Sequence, residues 1–449
     1  MGVAAAAPVE PRQLTHAPHG HLLTNVAVWS PDGAWIYYDV RSDPAGTVFD
    51  GLTIERVHAA SGRVETVYRS ERGACCGAVT ASPCDDRVAF ILGPVDPAPD
   101  WQYAPWHRQG IVIDGAGRGT AQTLDARDVV SPFTPGALRG GTHVHVFSGD
   151  ARCISFTYED HVLAVGGDSA AQANQRNVGV AWLGRPVLTP RTHPRNHDGI
   201  AFCAVVTRTV DRPTPGSDEI SRAYEDAWVG ADGYLRADGS RQHRALAFIG
   251  DATTEQGRAI PELYVVDLPD GWPEPGSAPL EGTPTTRPAP PAGTMQRRLT
   301  RTAGRRYPGL AAPRHWPRSS PDGSRIAFLM RDDDGVTQLW TIAPTGGTPR
   351  QATRSPLPIA SAFSWSPDGS HVACVVDDSV CEADLETGTV HRVAAADRDC
   401  PPRPEACVYS PDGSRIAFVR RLPAPQGTFN QVCVVASQRG AAKSAAAPP

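Results

Sequence analysis

A chain of 449 residues with 20% charged and 40% hydrophobic side chains has the composition of a folded globular protein, neither disordered nor membrane-embedded. Its formal net charge of −5 gives no electrostatic reason to expect nucleic acid or an anionic membrane surface as a partner. Glycine and proline number 43 each, which argues against a helical bundle and for many short strands joined by tight turns.

Residues 1–10 read as a disordered segment. Their apolar run stops at Pro8, too short for the core of a signal peptide, and nowhere do about 18 apolar residues follow one another. The ten cysteines include no Cys-x-x-Cys pair. Cys374 and Cys433 sit in apolar runs, where a thiol acts as a small hydrophobe. The expectation is a reduced, cytoplasmic protein.

An internal repeat organises the rest. Its first copy is Ser30-Pro-Asp-Gly-Ala-Trp-Ile-Tyr-Tyr-Asp. Weaker copies begin at Ser82 and Ser148, and a further one keeps only the strand Ala245-Leu-Ala-Phe-Ile-Gly. Three nearly identical copies follow, beginning at Ser320, Ser366 and Ser410. Proline presets φ, aspartate accepts from nearby amides and glycine supplies φ > 0, so Ser-Pro-Asp-Gly is a tight turn. Apolar runs flank it, which makes a hairpin. In the clean copy two further strands follow, Thr337–Ile342 and Thr348–Thr353, around the Gly346-Gly347 turn. One unit is therefore a four-stranded antiparallel sheet.

The spacing is 46 residues from Pro321 to Pro367 and 44 from Pro367 to Pro411. Units of that length and strand content are propeller blades. Seven copies predict an all-β, seven-bladed β-propeller, six or eight blades being the alternatives. The last unit stops after its third strand, while Pro11-Arg-Gln-Leu-Thr15 resembles the unit's fourth strand and precedes the first hairpin. Residues 11–15 are therefore expected to supply the outer strand of the last blade and close the ring. One propeller domain is expected over 11–437, with a disordered tail over 438–449.

The Ser-Pro-Asp-Gly-x-x-Ile-Ala-Phe unit resembles the TolB-type, WD40-like propeller repeat. The chain is similar, almost end to end, to the uncharacterised YidR-like bacterial family. The matching stretches include His21-Leu-Leu-Thr-Asn25, Arg139-Gly-Gly-Thr-His-Val-His-Val-Phe-Ser148, Pro215-Gly-Ser-Asp-Glu-Ile220, Tyr307-Pro-Gly-Leu310 and Arg314-His-Trp316. The resemblance implies the fold and no particular activity.

Two insertions interrupt the pattern. In 213–243, Ile220, Tyr224 and Trp228 recur at helical spacing, which predicts a short amphipathic helix lying on the propeller. Residues 273–292, rich in Pro, Thr, Ala and Gly, read as a surface loop.

Propellers bind ligands where their innermost strands converge on the central channel. Counting back six residues from each turn proline or its equivalent gives Asn25, Gly77, His143, His315, Ser361 and Glu405, with the fourth blade not alignable. Neighbouring positions add His21, Arg139, His145 and Arg314. Three readings stay open. His21, His143, His315 and Glu405 could hold one divalent metal, Mn, Zn or Fe. Alternatively His143, His145, Arg139 and Arg314 could do acid–base chemistry without metal, with Asn25, Arg139, Arg314 and Glu405 binding a carboxylated ligand. In either case strand alternation would put His143 and His145 on one face. In the third reading the histidines only bond a neighbouring blade's backbone. The functions expected are a binding module for a small molecule or protein at the channel face, or a metal-dependent lyase or hydrolase on a sugar or carboxylated molecule. The likeness to oligogalacturonate lyases is one of architecture and histidine placement. No Gly-x-Ser-x-Gly elbow, Walker A sequence or Gly-x-Gly-x-x-Gly run occurs.

Overall fold

The computed structural model describes residues 8–24, 26–44, 46–166 and 172–438. Asn25, residues 1–7 of the expected N-terminal segment and 439–449 of the expected tail lie outside the described residues. Residues 8–10 lie against the ring, where Val9 N donates to Val393 O.

Seven four-stranded antiparallel sheets form the blades of a β-propeller. Blade 1 comprises Gly20–Leu22, Trp35–Arg41, Thr53–His58 and Val64–Arg69. Blade 2 comprises Cys76–Ala81, Arg87–Leu92, Gln109–Asp114 and Gln122–Thr123. Blade 3 comprises Gly140–Phe147, Cys153–Asp160, Asn177–Val187 and Gly199–Val205. Blade 4 comprises Ile220–Trp228, Ala245–Thr253, Ala259–Asp267 and Met295–Arg298. Blades 5 and 6 begin at Arg318–Ser319 and Ser364–Trp365 and end at Gly346–Gln351 and Val390–Arg392. Blade 7 takes Pro402–Tyr409, Arg415–Ala424 and Gly427–Ala436 from the C-terminal end and Arg12–Gln13 from the N-terminal end.

That last pairing closes the ring as the sequence predicts, with Arg12 opposite Val434 and Gln13 opposite Cys433. Leu14, Val28, Trp29, Ile36, Val432 and Val434 share one core across the seam. Burying this surface stabilises the closed ring, and the pairing leaves no open edge on blade 7.

The repeat turns work as the residues dictate. Gly33, Gly323, Gly369 and Gly413 have φ between +66° and +73°, the left-handed region that glycine occupies without penalty. In the first copy Asp32 accepts from Ala34 N at 2.9 Å, and Ser30 Oγ accepts from Trp35 N at 2.9 Å. The copies at Ser320, Ser366 and Ser410 repeat the serine bond at 3.1, 3.0 and 3.0 Å.

Two residues around the turn clasp neighbouring blades together. Trp29, Trp228 and Trp365, at the ends of inner strands, donate Nε1–H to Val408 O, Val146 O and Arg318 O of the preceding blade. Arg325 and Arg415 reach forward over Trp365 and Trp29, at 5.2 and 5.0 Å to the ring centroids, and donate to Gly369 O and Gly33 O. The clasps at Trp29 and Trp365 combine a hydrogen bond and a cation–π contact, about 1 kcal/mol apiece.

The helix expected within 213–243 is a strand instead. Ile220–Trp228 is the inner strand of blade 4, and Tyr234–Leu235 pairs with Arg241–Gln242 in a small hairpin beyond it. Register shifts between Ile220 and Ala223 and between Tyr224 and Ala227 break the strand's alternation. Ile220, Ala223 and Trp228 therefore pack on one core at helix-like spacing. Residues 273–292 hold no named strand or helix. Leu280 is nevertheless buried, so this loop is docked on the ring rather than loose.

Candidate functional site

In a four-stranded antiparallel blade, the repeat turns lie at one end, and the blade crossings and second-to-third-strand loops lie at the other. A cavity of about 370 Å³ opens at the latter end, on the channel. Blade 1 lines it with Asp39, Arg41 and Phe49, blade 3 with His143, blade 7 with Glu405, and the approach to blade 5 with Arg314 and Trp316. Leu22, Leu23, Pro313 and Pro404 make much of the remaining wall apolar.

The backbone sets which side chains reach this cavity. Val144 sits at φ +52°, and the register slips between His143 and Val146. This bulge turns His143 and His145 to different faces, against the expectation from alternation. His143 opens onto the cavity, and its ring makes no hydrogen bond to another described residue. Burial and the nearby Arg108, Arg176 and Arg314 guanidiniums hold its pKa well below the usual imidazole value, so it is neutral at pH 7.

His145 is fully buried elsewhere, with Nε2 at 2.9 Å from Thr142 Oγ1 and its ring against Gly110. Burial lowers its pKa to about 3. His315 uses both nitrogens on main chain: Nδ1 is 2.9 Å from Pro313 O, and Nε2 accepts from Leu329 N at 3.1 Å. In blade 6 Ser361 Oγ does the same job for Val375 N, at 2.8 Å, so this register position serves the blade's own second strand. His21 is 1% exposed, with Nδ1 at 2.8 Å from Asn430 O across the closing seam. Arg139 is fully buried, paired with Asp160 and donating to Thr286 O at 3.0 Å, which ties the 273–292 loop to blade 3. Asn25 lies outside the described residues.

Of the expected ring, the structure brings His143, Arg314 and Glu405 to one cavity and commits His21, His145, His315 and Arg139 to packing. Of the expected metal set His21, His143, His315 and Glu405, only His143 and Glu405 line the cavity, while His21 Nδ1 and both His315 nitrogens are engaged by main chain, which does not fit a divalent metal. Among the described residues no group of three or more His, Cys, Asp or Glu side chains is placed to hold one.

Arg314 Nε lies 2.7 Å from Glu225 Oε1, and its guanidinium stands 4.8 Å from the Trp316 ring. Glu225 is the contribution of blade 4, missed in the sequence because its turn, Gly230-Ala-Asp-Gly233, departs from the repeat. Aligning on Trp228, as Trp29 aligns Asn25 and Trp365 aligns Ser361, gives Tyr224, and the register shift between Tyr224 and Ala227 puts Glu225 one residue off that count. Glu405 Oε2 is buried with no hydrogen-bond partner among the described residues. Arg41 is paired with the fully buried Asp39 and lies 4.4 Å from the Phe49 ring. Asp39, Arg41 and Phe49 come from a second strand and its loop, where a count along inner strands cannot find them.

Comparison with known proteins places this geometry in a family. The uncharacterised protein YidR of Escherichia coli (strain K12) is 46% identical over 412 residues, spanning 91% of this chain and 94% of that protein. The chain belongs to the YidR family. Residues 75–197 of this YidR-family chain match the family described as "Protein of unknown function (DUF3748)". Among solved structures, an oligogalacturonate lyase in complex with manganese matches with a TM-score of 0.52 at 12% identity, over 97% of this chain and 98% of the other. A puromycin-hydrolyzing peptidase of Mycobacterium tuberculosis matches with a TM-score of 0.53 at 13% identity, over 97% of this chain and 55% of the other. At such identities these likenesses show the fold alone.

The described residues include no helix long and apolar enough to cross a membrane.

Proposed function

We propose that the channel cavity binds a small, hydroxylated carboxylic acid of the sugar-acid class. The observation that carries this reading is His143, a neutral imidazole with an unengaged ring, open to the cavity in a field of three guanidiniums. That field favours an anionic group beside the ring, and Arg314 at the rim, whose Nε and Nη2 hold Glu225, keeps Nη1 as a charged donor for a carboxylate. Glu405 Oε2 lacks a donor, and a ligand hydroxyl supplies one. Phe49 and Trp316 offer apolar faces to the carbon skeleton. The relative named for oligogalacturonate acts on an acidic sugar chain. The reading stands on the cavity residues rather than on that name.

Titration calorimetry with galacturonate and its neutral counterpart galactose tests the proposal. The acid is expected to bind and the neutral sugar not, with Arg314→Ala weakening the acid by about tenfold or more, or about 1.4 kcal/mol. Equal response to both sugars, or none to either, would overturn it. The metal-dependent reading would require instead that binding depend on added Mn, Zn or Fe.

A further inference from the structure

A second cavity, of about 280 Å³, lies apart from the channel between the outer edges of blades 2 and 3. Arg127, Arg195 and His197 line it, with Trp101 as one wall. The two guanidiniums stand 5.7 and 5.3 Å from the Trp101 ring. Both are bonded only to main-chain carbonyls: Arg127 to Gly140 O and Arg108 O, Arg195 to Val95 O and Asp96 O. These bonds leave Arg127 Nη1 and Arg195 Nε without an acceptor among the described residues.

The nearby carboxylates are committed elsewhere. Asp96 is taken by Arg72, Asp198 by Arg191 and Asp128 by Asn196 and Thr134. Asp125 is buried behind Arg127, where Oδ1 accepts from Gly110 N at 2.6 Å. Burial pushes its pKa up to about 7, so it does not fully neutralise Arg127. No ion pair among the described residues includes Arg127 or Arg195. Both ring nitrogens of His197 are buried and without a hydrogen-bond partner among those residues. Two fixed cations without a counter-ion and an unpartnered imidazole on one cavity is a costly arrangement unless something anionic completes it.

We propose that this seam is a second site, which takes a tetrahedral oxyanion: free phosphate or the phosphate group of a small ester. A dianion matches the two guanidinium charges, and its several oxygens match donors converging from Arg127, Arg195 and His197. The arrangement holds the anion without metal and does not rest on the channel reading.

Calorimetry at constant ionic strength in chloride, with inorganic phosphate, a hexose 6-phosphate and acetate, tests it. One phosphate-bearing ligand per chain is expected, with acetate weaker. Binding of the ester but not of inorganic phosphate would assign the site to esters, and binding of both to the phosphate group alone. Arg195→Met, at a half-buried position, and His197→Phe should each weaken binding about tenfold or more. Saturating galacturonate should leave phosphate binding unchanged. Absence of saturable binding by either phosphate ligand, unchanged affinity in both variants, or competition by galacturonate would overturn the proposal.

Discussion

The two ends of the propeller are built on opposite rules. At the turn end, the same serine, aspartate, glycine, arginine and tryptophan recur, and each makes the same contact in one blade after another. At the cavity end the contributions follow no repeat: Arg41 and Phe49 come from blade 1, His143 from blade 3, Arg314 from the approach to blade 5, and Glu405 from blade 7. Repetition at one end marks what every blade needs in order to stand beside the next. Variation at the other end marks side chains that the fold does not require, and those are the ones available for a ligand.

The comparison breaks most visibly at a clasp. Trp365→Ala removes an 8%-exposed ring, its bond to Arg318 O and the seat of Arg325. A loss of about 3–5 kcal/mol is expected by urea denaturation. A loss below about 1 kcal/mol would show that the clasp is not what joins these blades.

Acid should loosen the packing histidines before it touches the turns. Burial lowers His21, His145 and His197 to about 3 and His315 to about 4, against 6.5 unfolded. The unfolded chain therefore binds protons on these groups below pH 6.5 that the fold refuses, and stability falls as pH drops from 6.5 toward 4. Asp125 and Asp226, raised by burial to about 7 from 3.8, act in the opposite sense, because the fold holds their protons in that window. His143 and His161, also lowered by burial, add to the histidine side, so unfolding takes up protons on balance and stability falls as the pH drops in this window. Urea midpoints that stay flat between pH 6.5 and 5 would contradict this assignment.

The smallest stability effect sharpens the contrast between two histidines that the sequence treats alike. His315→Ala leaves Leu329 N–H without its acceptor and should cost about 1–3 kcal/mol. His143→Ala breaks no described hydrogen bond of the ring and should stay within about 0.5 kcal/mol of the parent, while losing sugar-acid binding. Equal destabilisation by both would mean that His143 is also a packing residue.

The blade number, the ring closure through residues 11–15 and the turn chemistry were legible because they depend on local patterns repeated down the chain. The inner strand of blade 4 was not, because Ile220, Tyr224 and Trp228 recur at helical spacing along a strand whose alternation two bulges break. The channel register picks out His143 and Glu405, and its neighbouring position Arg314, all three of which line the cavity. It could not separate these from His315, which occupies the same register and turns both nitrogens to main chain. That difference is set by rotamer and bulge, which spacing does not carry. Asp39, Arg41, Phe49 and Glu225 reach the site through a loop and an irregular blade that the register count does not address.

The central claim is that His143 alone among the sequence's candidate histidines faces a ligand. Nitrogen NMR of the imidazoles during galacturonate titration reads this directly. The account predicts a saturable shift of the His143 ring signals, with those of His21, His145 and His315 unmoved. No shift at His143, or a shift at His21 or His315 in its place, would contradict it.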